Sequence, residues 1–174
     1  MFIFRPAQLQ DIEGIQNVEK KFYEGYVCPK GIIKSWIKNL SENFIVAERN
    51  GKIFGFIFFE YLDKREALPF VHEIEHKKNG KYAYVSDVGV LGKNTVLLQE
   101  LLYRLIEKSK KDGCLELVWI TGSPEDRWHK LEVELLLKNG FEKKEKIEKW
   151  DAYPGHFVSN HYLWIKGGLD EIKD

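Results

Sequence analysis

The sequence has few of the residues that mark secreted, membrane-spanning or nucleic-acid-binding proteins. It contains only two cysteines, Cys28 and Cys114, and their wide separation predicts reduced thiols, with Cys114 in the core. The 27 basic side chains balance the 27 acidic ones, so no net charge favours nucleic acid or an anionic membrane. No apolar run is long enough to span a bilayer, and the first residues lack the pattern of a signal peptide. We therefore expect a soluble cytoplasmic protein.

The composition is that of a globular protein. The 174 residues, 44% hydrophobic and 14% aromatic, are enough for one domain with a sizeable core. Apolar residues at helical spacing predict four helices, which begin near Asp11, Pro29, Thr95 and Ser123. The third helix is predicted to bury Val96, Leu97, Leu101 and Leu105.

Strand signals alternate with these helices. Two apolar runs flank Asn50-Gly51, the strongest short signal for a β-hairpin. The second run, Ile53 to Leu62, is typical of a strand covered on both faces. Further strands are predicted at 2–6, 81–91 and 114–120, with a closing strand pair at 141–153 and 156–165. The element order β-α-α-β-β-β-α-β-α-β-β predicts a mixed sheet with helices on both faces.

Four segments in this order are similar to those of the GNAT N-acetyltransferase superfamily. They are "FIFRPAQLQDIEGI", like its opening strand and helix, "FIVAERNGKIFGFIFFEYL", like its second and third strands, "VSDVGVL", like its fourth strand, and "LLLKNGF", like the end of its last helix. The resemblance covers the whole chain, 1–174, as a single GNAT-like domain. It implies an α/β (α+β) fold: a mixed, mostly antiparallel sheet of about seven strands, with helices on both faces and strands four and five splayed.

The resemblance implies an N-acetyltransferase in which a primary amine attacks the thioester of acetyl-CoA directly. In the family, strand-four backbone pairs with the pantetheine arm, and the following loop and helix N-terminus hold the pyrophosphate. Unpaired helical N–H groups and the helix dipole favour such an anion. Carried over to this chain, the expected cofactor contacts are Val88, Val90, Gly92, Lys93, Asn94, Thr95, Ser123 and His129.

The chain departs from the family pattern at two places. The family loop reads Arg/Gln-x-x-Gly-x-Gly/Ala, whereas here only Gly92-Lys93-Asn94 stands between the strand and the helix. The tyrosine that often protonates the leaving thiolate falls on Leu136, which cannot donate a proton, and the family's asparagine falls on His129. A second hypothesis therefore stays open: a GNAT-fold protein that no longer catalyses and binds an acyl-CoA or a protein partner.

Three residues are candidates for the proton transfers. Asp87 lies just before the expected splay and could serve as general base, or could bond nearby backbone as an ordinary strand-end residue. Glu60 is a charge on an apolar strand, which needs a partner or faces a cleft. Tyr84 shares a strand face with Tyr82 and could replace the missing acid, although such tyrosines more often pack in the core.

The segment "HEIEH", His72 to His76, matches the H-E-x-x-H pattern of zinc proteases. That motif requires a helix, but Asn79-Gly80 follows directly and predicts a hairpin. Four residues along a strand span about 13 Å, too far for one zinc, so we expect no metal site. On this hairpin Glu73 and Glu75 would share a side, at a substrate entrance or in solvent.

The expected partners are a small-molecule or peptide amine and acetyl-CoA, without nucleic acid or membrane. A homodimer is compatible with the aromatic residues of the closing strands, although core packing explains them equally simply. These residues are Trp150, Tyr153, Phe157, Tyr162 and Trp164.

Overall fold

The computed structural model describes residues 1–25, 27–63, 80–122, 127–147, 150–153, 156–158 and 161–169. The helices of this part of the chain are α1 (Ile12–Phe22), α2 (Lys30–Leu40), α3 (Thr95–Lys111) and α4 (Arg127–Lys138). The strands are β1 (Ile3–Pro6), β2 (Phe44–Arg49), β3 (Lys52–Leu62), β4 (Tyr82–Val90), β5 (Glu116–Thr121), β6 (Glu142–Ile147), β7 (Trp150–Tyr153), β8 (His156–Val158) and β9 (His161–Lys166). None of the described helices is long and apolar enough to cross a membrane.

Seven of the strands form one sheet, the number that the resemblance implied, and their order is β1-β2-β3-β4-β5-β9-β6. The sheet is mostly antiparallel, and β4 pairs in parallel with β5. Their register runs from Tyr82 opposite Glu116 to Val85 opposite Trp119, and β4 then continues to Val90. The predicted closing pair is divided in two, because β6 pairs with β9 while β7 and β8 form a separate small sheet.

The chain comprises two compact units, of which the first contains Met1–Glu60 and Ser86–Leu105. The predicted hairpin turn between β2 and β3 is confirmed, with Asn50 and Gly51 at φ 54° and 74°. Helices cover both faces of the strands in this unit. Gly89 of β4 lies against Val18 of α1, while the opposite face, at Gly55 of β3, lies against Leu101 of α3.

The second unit contains Tyr61–Val85 and Ile106–Asp174. Its core includes the buried cluster Leu62, Tyr84, Val118, Ile120, Leu163 and Ile165. Glycines in the left-handed conformation end two helices: Gly113 after α3 and Gly140 after α4 have φ of 79° and 76°. In each case the next N–H bonds back to the last turn, from Cys114 to the Ser109 carbonyl at 2.9 Å and from Phe141 to the Leu136 carbonyl at 3.0 Å.

The buried stripe of α3 differs from the prediction at one position. Leu97, Leu101 and Leu105 are buried as expected, but Val96 is 72% exposed, so its assignment to the core was wrong. Successive residues of a helix point in directions about 100° apart around its axis. The buried side chains of α3 lie on the side of the helix that Leu97 and Leu98 face, and Val96 lies outside it. Val96 therefore faces solvent in the first turn.

Candidate functional site

The first unit brings α1 unusually close to β4. A β-carbon added to Gly89 would lie 3.1 Å from side-chain atoms of both Val18 and Phe56, so any larger residue would hold the helix away. Glu19 follows Val18 on the helix, and Asp87 precedes Gly89 by one full strand repeat on the same face. The close approach thus buries two acidic side chains together, leaving Glu19 fully buried and Asp87 only 4% exposed.

Glu19 and Asp87 are neighbouring buried carboxyl groups. Two ionised carboxylates side by side repel each other and have no proton to donate, so a proton on one of them is favoured. Glu19 is that member, because burial first and the negative charge of Asp87 second raise its pKa far above the ordinary value. Its Oε2 accepts the backbone N–H of Cys28 at 3.1 Å, while Oε1 has no N–H or hydroxyl donor among the described residues.

The thiol of Cys28 lies beside the same pair. Burial, followed by the charges of Asp87 and Glu19, raises its pKa well above the ordinary value of a thiol. A thiol in that environment stays protonated and is a poor nucleophile. Both cysteines are free, as predicted, and Cys28 is buried as well as Cys114, for which the core was predicted.

Tyr23, immediately after α1, completes the cluster. Its hydroxyl donates to the backbone carbonyl of Val88 at 2.7 Å and lies 3.3 Å from Oδ1 of Asp87. The neighbouring carbonyl of Gly89 lies 3.1 Å from a β-carbon built on Gly55 of β3, so it points toward that strand. Because carbonyls alternate along a strand, the Val88 carbonyl points to the opposite edge of β4.

The turn after β4 has an open, left-handed backbone. Gly92 and Lys93 have φ of 65° and 53°, and a β-carbon on Gly92 would meet no atom within 4 Å. Asn94 caps α3, since its Oδ1 accepts the N–H of Leu97 at 3.0 Å. Thr95 is the exposed first residue of the helix. A helix start beside a lysine and open space is a suitable environment for an anion.

The remaining candidates on the central strands have different surroundings. Glu60 is buried and accepts a hydrogen bond from the Ser86 hydroxyl at 2.6 Å. Tyr84 is 2% exposed within the apolar cluster of the second unit. Val90 is also buried, and its side chain lies 3.0 Å from a β-carbon built on Gly55.

In the second unit His129 forms a pair with the buried Glu132 on α4. His129 Nδ1 lies 2.8 Å from Glu132 Oε2, and a β-carbon on Gly122 would come within 2.3 Å of the imidazole ring. The ring also meets that of His161 edge-on at 5.8 Å. Leu136, at the family's tyrosine position, is fully buried, and Ser123 lies outside the described residues.

The structure therefore gathers part of the predicted site and adds two residues that the sequence reasoning missed. Asp87 and Val88 meet Glu19 and Tyr23 from α1. Glu19 had a detectable signal, because it lies four residues after Ile15 on the buried stripe of an amphipathic helix. A charge on such a stripe requires a partner. Tyr23 lies just beyond the periodic segment and carried no signal of its own.

Two other predictions concern segments that the structure covers only in part. The "HEIEH" segment lies outside the described residues, as do the side chains of Trp150, Tyr153 and Phe157. Trp164 is a core residue, 3% exposed, whose Nε1 donates to the Thr121 hydroxyl at 2.9 Å. Among the residues described, no three His, Cys, Asp or Glu side chains are grouped as metal ligands.

A cleft of about 450 Å³ lies elsewhere in the first unit. It uses the other side of α1, at Gly14, Asn17 and Lys21, together with the β2–β3 turn. None of the predicted site residues lines it.

Comparison with known proteins supports the fold rather than a specific activity. No family model matches the sequence, and no curated protein matches it. Solved structures match over nearly the full length. The loading GNATL domain of CurA from Lyngbya majuscula has a TM-score of 0.79 at 14% identity, covering 96% of this chain and 98% of that one.

Two other matches are named for acetyl transfer. The yncA protein of Salmonella typhimurium, solved with its cofactor acetyl-CoA, has a TM-score of 0.70 at 14% identity, covering 100% of this chain and 97% of that one. The ribosomal-protein-S18-alanine N-acetyltransferase of Escherichia coli has a TM-score of 0.68 at 14% identity, covering 96% of this chain and 94% of that one. This chain therefore has the GNAT fold, as the sequence predicted.

Proposed function

We propose that this chain is an acyl-CoA-dependent N-acyltransferase that moves an acetyl group from acetyl-CoA to a primary amine. The observation that carries the proposal is the position of Asp87. It is a buried carboxylate on β4, joined to a protonated Glu19, in the part of the strand beyond its register with β5. In the GNAT resemblance this part of the strand holds the reacting thioester.

The residues around the turn fit the shape and charge of a pyrophosphate. Gly92 leaves open space, Lys93 supplies positive charge, and α3 begins directly behind them at Thr95. Asn94 fixes the helix start by capping it. Backbone groups of Val88 and Val90 would hold the pantetheine arm, and Ser123 and His129 remain proposed contacts. Bound acetyl-CoA would supply an activated acyl group.

Asp87 would remove a proton from the amine. A proton on the neighbouring Glu19 prevents two adjacent negative charges, so Asp87 can be the carboxylate that accepts. Glu60 is the second candidate for this role; its carboxylate already accepts the Ser86 hydroxyl. Tyr84, inside an apolar cluster, is a weaker candidate for the acid. The acceptor amine belongs to a small molecule or a peptide.

One observation favours a different function. Leu136 stands where a tyrosine would protonate the thiolate, and it is fully buried. Together with the short turn, this supports a GNAT-fold protein that binds an acyl-CoA without turning it over. The two functions differ in catalysis and share the ligand.

Calorimetric titration with acetyl-CoA and with free CoA is the first test, followed by release of CoA thiol from acetyl-CoA across a panel of polyamines and peptide amines. We expect micromolar binding and turnover with at least one amine. In the variant Asp87→Asn, turnover should fall by about 100-fold or more, since general base catalysis contributes on that scale. Binding without turnover would favour the binding protein, and no binding at millimolar ligand would refute both functions.

A further inference from the structure

The proposed base is almost inaccessible to substrate. Asp87 is 4% exposed, and its partner Glu19 is fully buried. A proton that leaves an amine at the surface can reach this pair only through a group that touches both. Tyr23 is such a group, because it is partly exposed and its hydroxyl lies 3.3 Å from Oδ1 of Asp87.

The same hydroxyl occupies the edge of β4 that the proposed cofactor would use. It donates to the Val88 carbonyl at 2.7 Å, and that carbonyl points away from β3. Its position is set by the end of α1, where the Tyr23 N–H still bonds to the Glu19 carbonyl at 2.8 Å. The Tyr23 phenol therefore lies between the buried carboxyl groups and the edge of β4, held by its bonds to the Val88 and Glu19 carbonyls.

We propose that Tyr23 is the catalytic acid of this chain, taking the role that Leu136 cannot perform. The assignment rests on the proposed acyl transfer and names the residue that completes it. As the amine nitrogen bonds to the acyl carbon and the C–S bond breaks, Tyr23 gives its hydroxyl proton to the sulfur, which leaves as a thiol. The nitrogen's proton is taken up by the Tyr23 oxygen as the Tyr23 hydroxyl proton moves to Asp87, and Asp87 returns that proton to the Tyr23 oxygen once the sulfur has been protonated.

The principal test compares Tyr23→Phe with the matched control Tyr103→Phe, whose phenol is 57% exposed on α3. With acetyl-CoA and the best amine of the panel, Tyr23→Phe should lose about 100-fold in kcat with little change in KM, and the control should stay within twofold. An aryl acetyl thioester has a leaving thiol that needs no acid. With that substrate, kcat of Tyr23→Phe should be only a few-fold below that of the wild type.

A binding measurement provides a readout independent of turnover. If Tyr23 donates to sulfur, the wild type should bind CoA more tightly than desulfo-CoA, which lacks the thiol. Tyr23→Phe should reduce this preference several-fold, measured by calorimetry at pH 8 to 9, where much of the thiol is ionised. The control variant should retain it.

If Tyr23→Phe is unstable, 3-fluorotyrosine at position 23 keeps the shape and makes the phenol more acidic. The alkaline limb of the kcat profile should then move to lower pH. Full activity of Tyr23→Phe would show that Tyr23 is not the acid, while leaving the proposed transferase intact. An equal loss of kcat with both thioesters, together with an unchanged preference for CoA over desulfo-CoA, would show the same. A wild type that binds acetyl-CoA but never releases thiol would overturn the assignment of Tyr23 together with the proposed transferase.

Discussion

The two units of the chain each bury a glutamate on a helix, but they give it opposite neighbours. In the first unit Glu19 meets another acid, Asp87. In the second unit Glu132, 4% exposed, meets the imidazole of His129 at 2.8 Å. An acid beside a buried acid keeps a proton, whereas an imidazole is a neighbour that can itself hydrogen-bond to the acid. Burial alone therefore does not decide what a glutamate does.

Replacing each glutamate by alanine should give the largest difference in the free energy of unfolding between the two units. Glu19→Ala leaves the Cys28 N–H without its acceptor and opens space in a closely packed region, so it should lower the free energy of unfolding by about 2–4 kcal/mol. Glu132→Ala should cost about 1–2 kcal/mol, because His129 is 22% exposed and can bond to water. Urea denaturation at pH 7 measures both.

The isosteric variant Glu19→Gln is the control for this difference. Its side chain keeps the shape, accepts the Cys28 N–H and can donate to Asp87 without taking up a proton, so at pH 7 the folded state should be no less stable than the wild type. A loss as large as that of Glu19→Ala would show that ionised Glu19 stabilises the cluster, contrary to the shared proton.

The free energy of unfolding should also depend on pH through Glu19 of the first unit. The pKa of Glu19 is raised from 4.5 to about 10, so the folded chain binds a proton there that the unfolded chain releases. The stability that this proton contributes is complete below pH 4.5 and is lost as the pH rises toward 10. One such group lowers the free energy of unfolding by at most about 1.4 kcal/mol per pH unit.

Urea denaturation between pH 5 and 9, at constant ionic strength, tests this slope. Glu19→Gln should flatten it, and Glu132→Gln should leave it unchanged at alkaline pH. Parallel curves for the wild type and Glu19→Gln would mean that Glu19 is ionised at neutral pH. Infrared spectroscopy gives an independent check, because a protonated carboxylic acid has its own carbonyl stretch, which Glu19→Gln should remove.

The smallest expected effect concerns the turn before α3. Lys93→Glu should weaken acetyl-CoA binding several-fold, because it replaces attraction to the pyrophosphate by repulsion. Lys111→Glu, at the opposite end of α3, is the matched control and should change affinity little. Calorimetry at low and high salt should show that the difference in acetyl-CoA affinity between the two variants becomes smaller as the salt concentration increases. Equal affinities of the two variants would show that Lys93 does not contact the pyrophosphate.

The sequence was sufficient for most of the fold because local patterns determine it. Helical spacing identified the four helices of the described part of the chain, and Asn50-Gly51 identified the hairpin. The error at Val96 arose where the apolar stripe begins, since a single residue at a helix end has no periodic neighbours to fix its direction. The closing pair was predicted, but its division into β6–β9 and β7–β8 was not.

The site was less predictable because it depends on contacts between distant segments. Asp87 was chosen from its place on β4, and the position of Glu19 on the apolar stripe of α1 indicates a buried charge. Its partner depends on the approach of α1 to β4, which a single sequence does not reveal. The role of Tyr23 depends on the same approach.

That approach has a practical consequence at Gly89. The spacing between helix and strand is set there by a missing methyl group, since a β-carbon would meet Val18 and Phe56 at 3.1 Å. Directed evolution of this chain for bulkier acceptors would therefore gain more from paired changes at Gly89 and Val18 than from altering the acids themselves. Gly89→Ala combined with Val18→Ala would add one carbon and remove two, which leaves room for the new methyl group on the α1 side while shifting where the residue after α1 places its phenol.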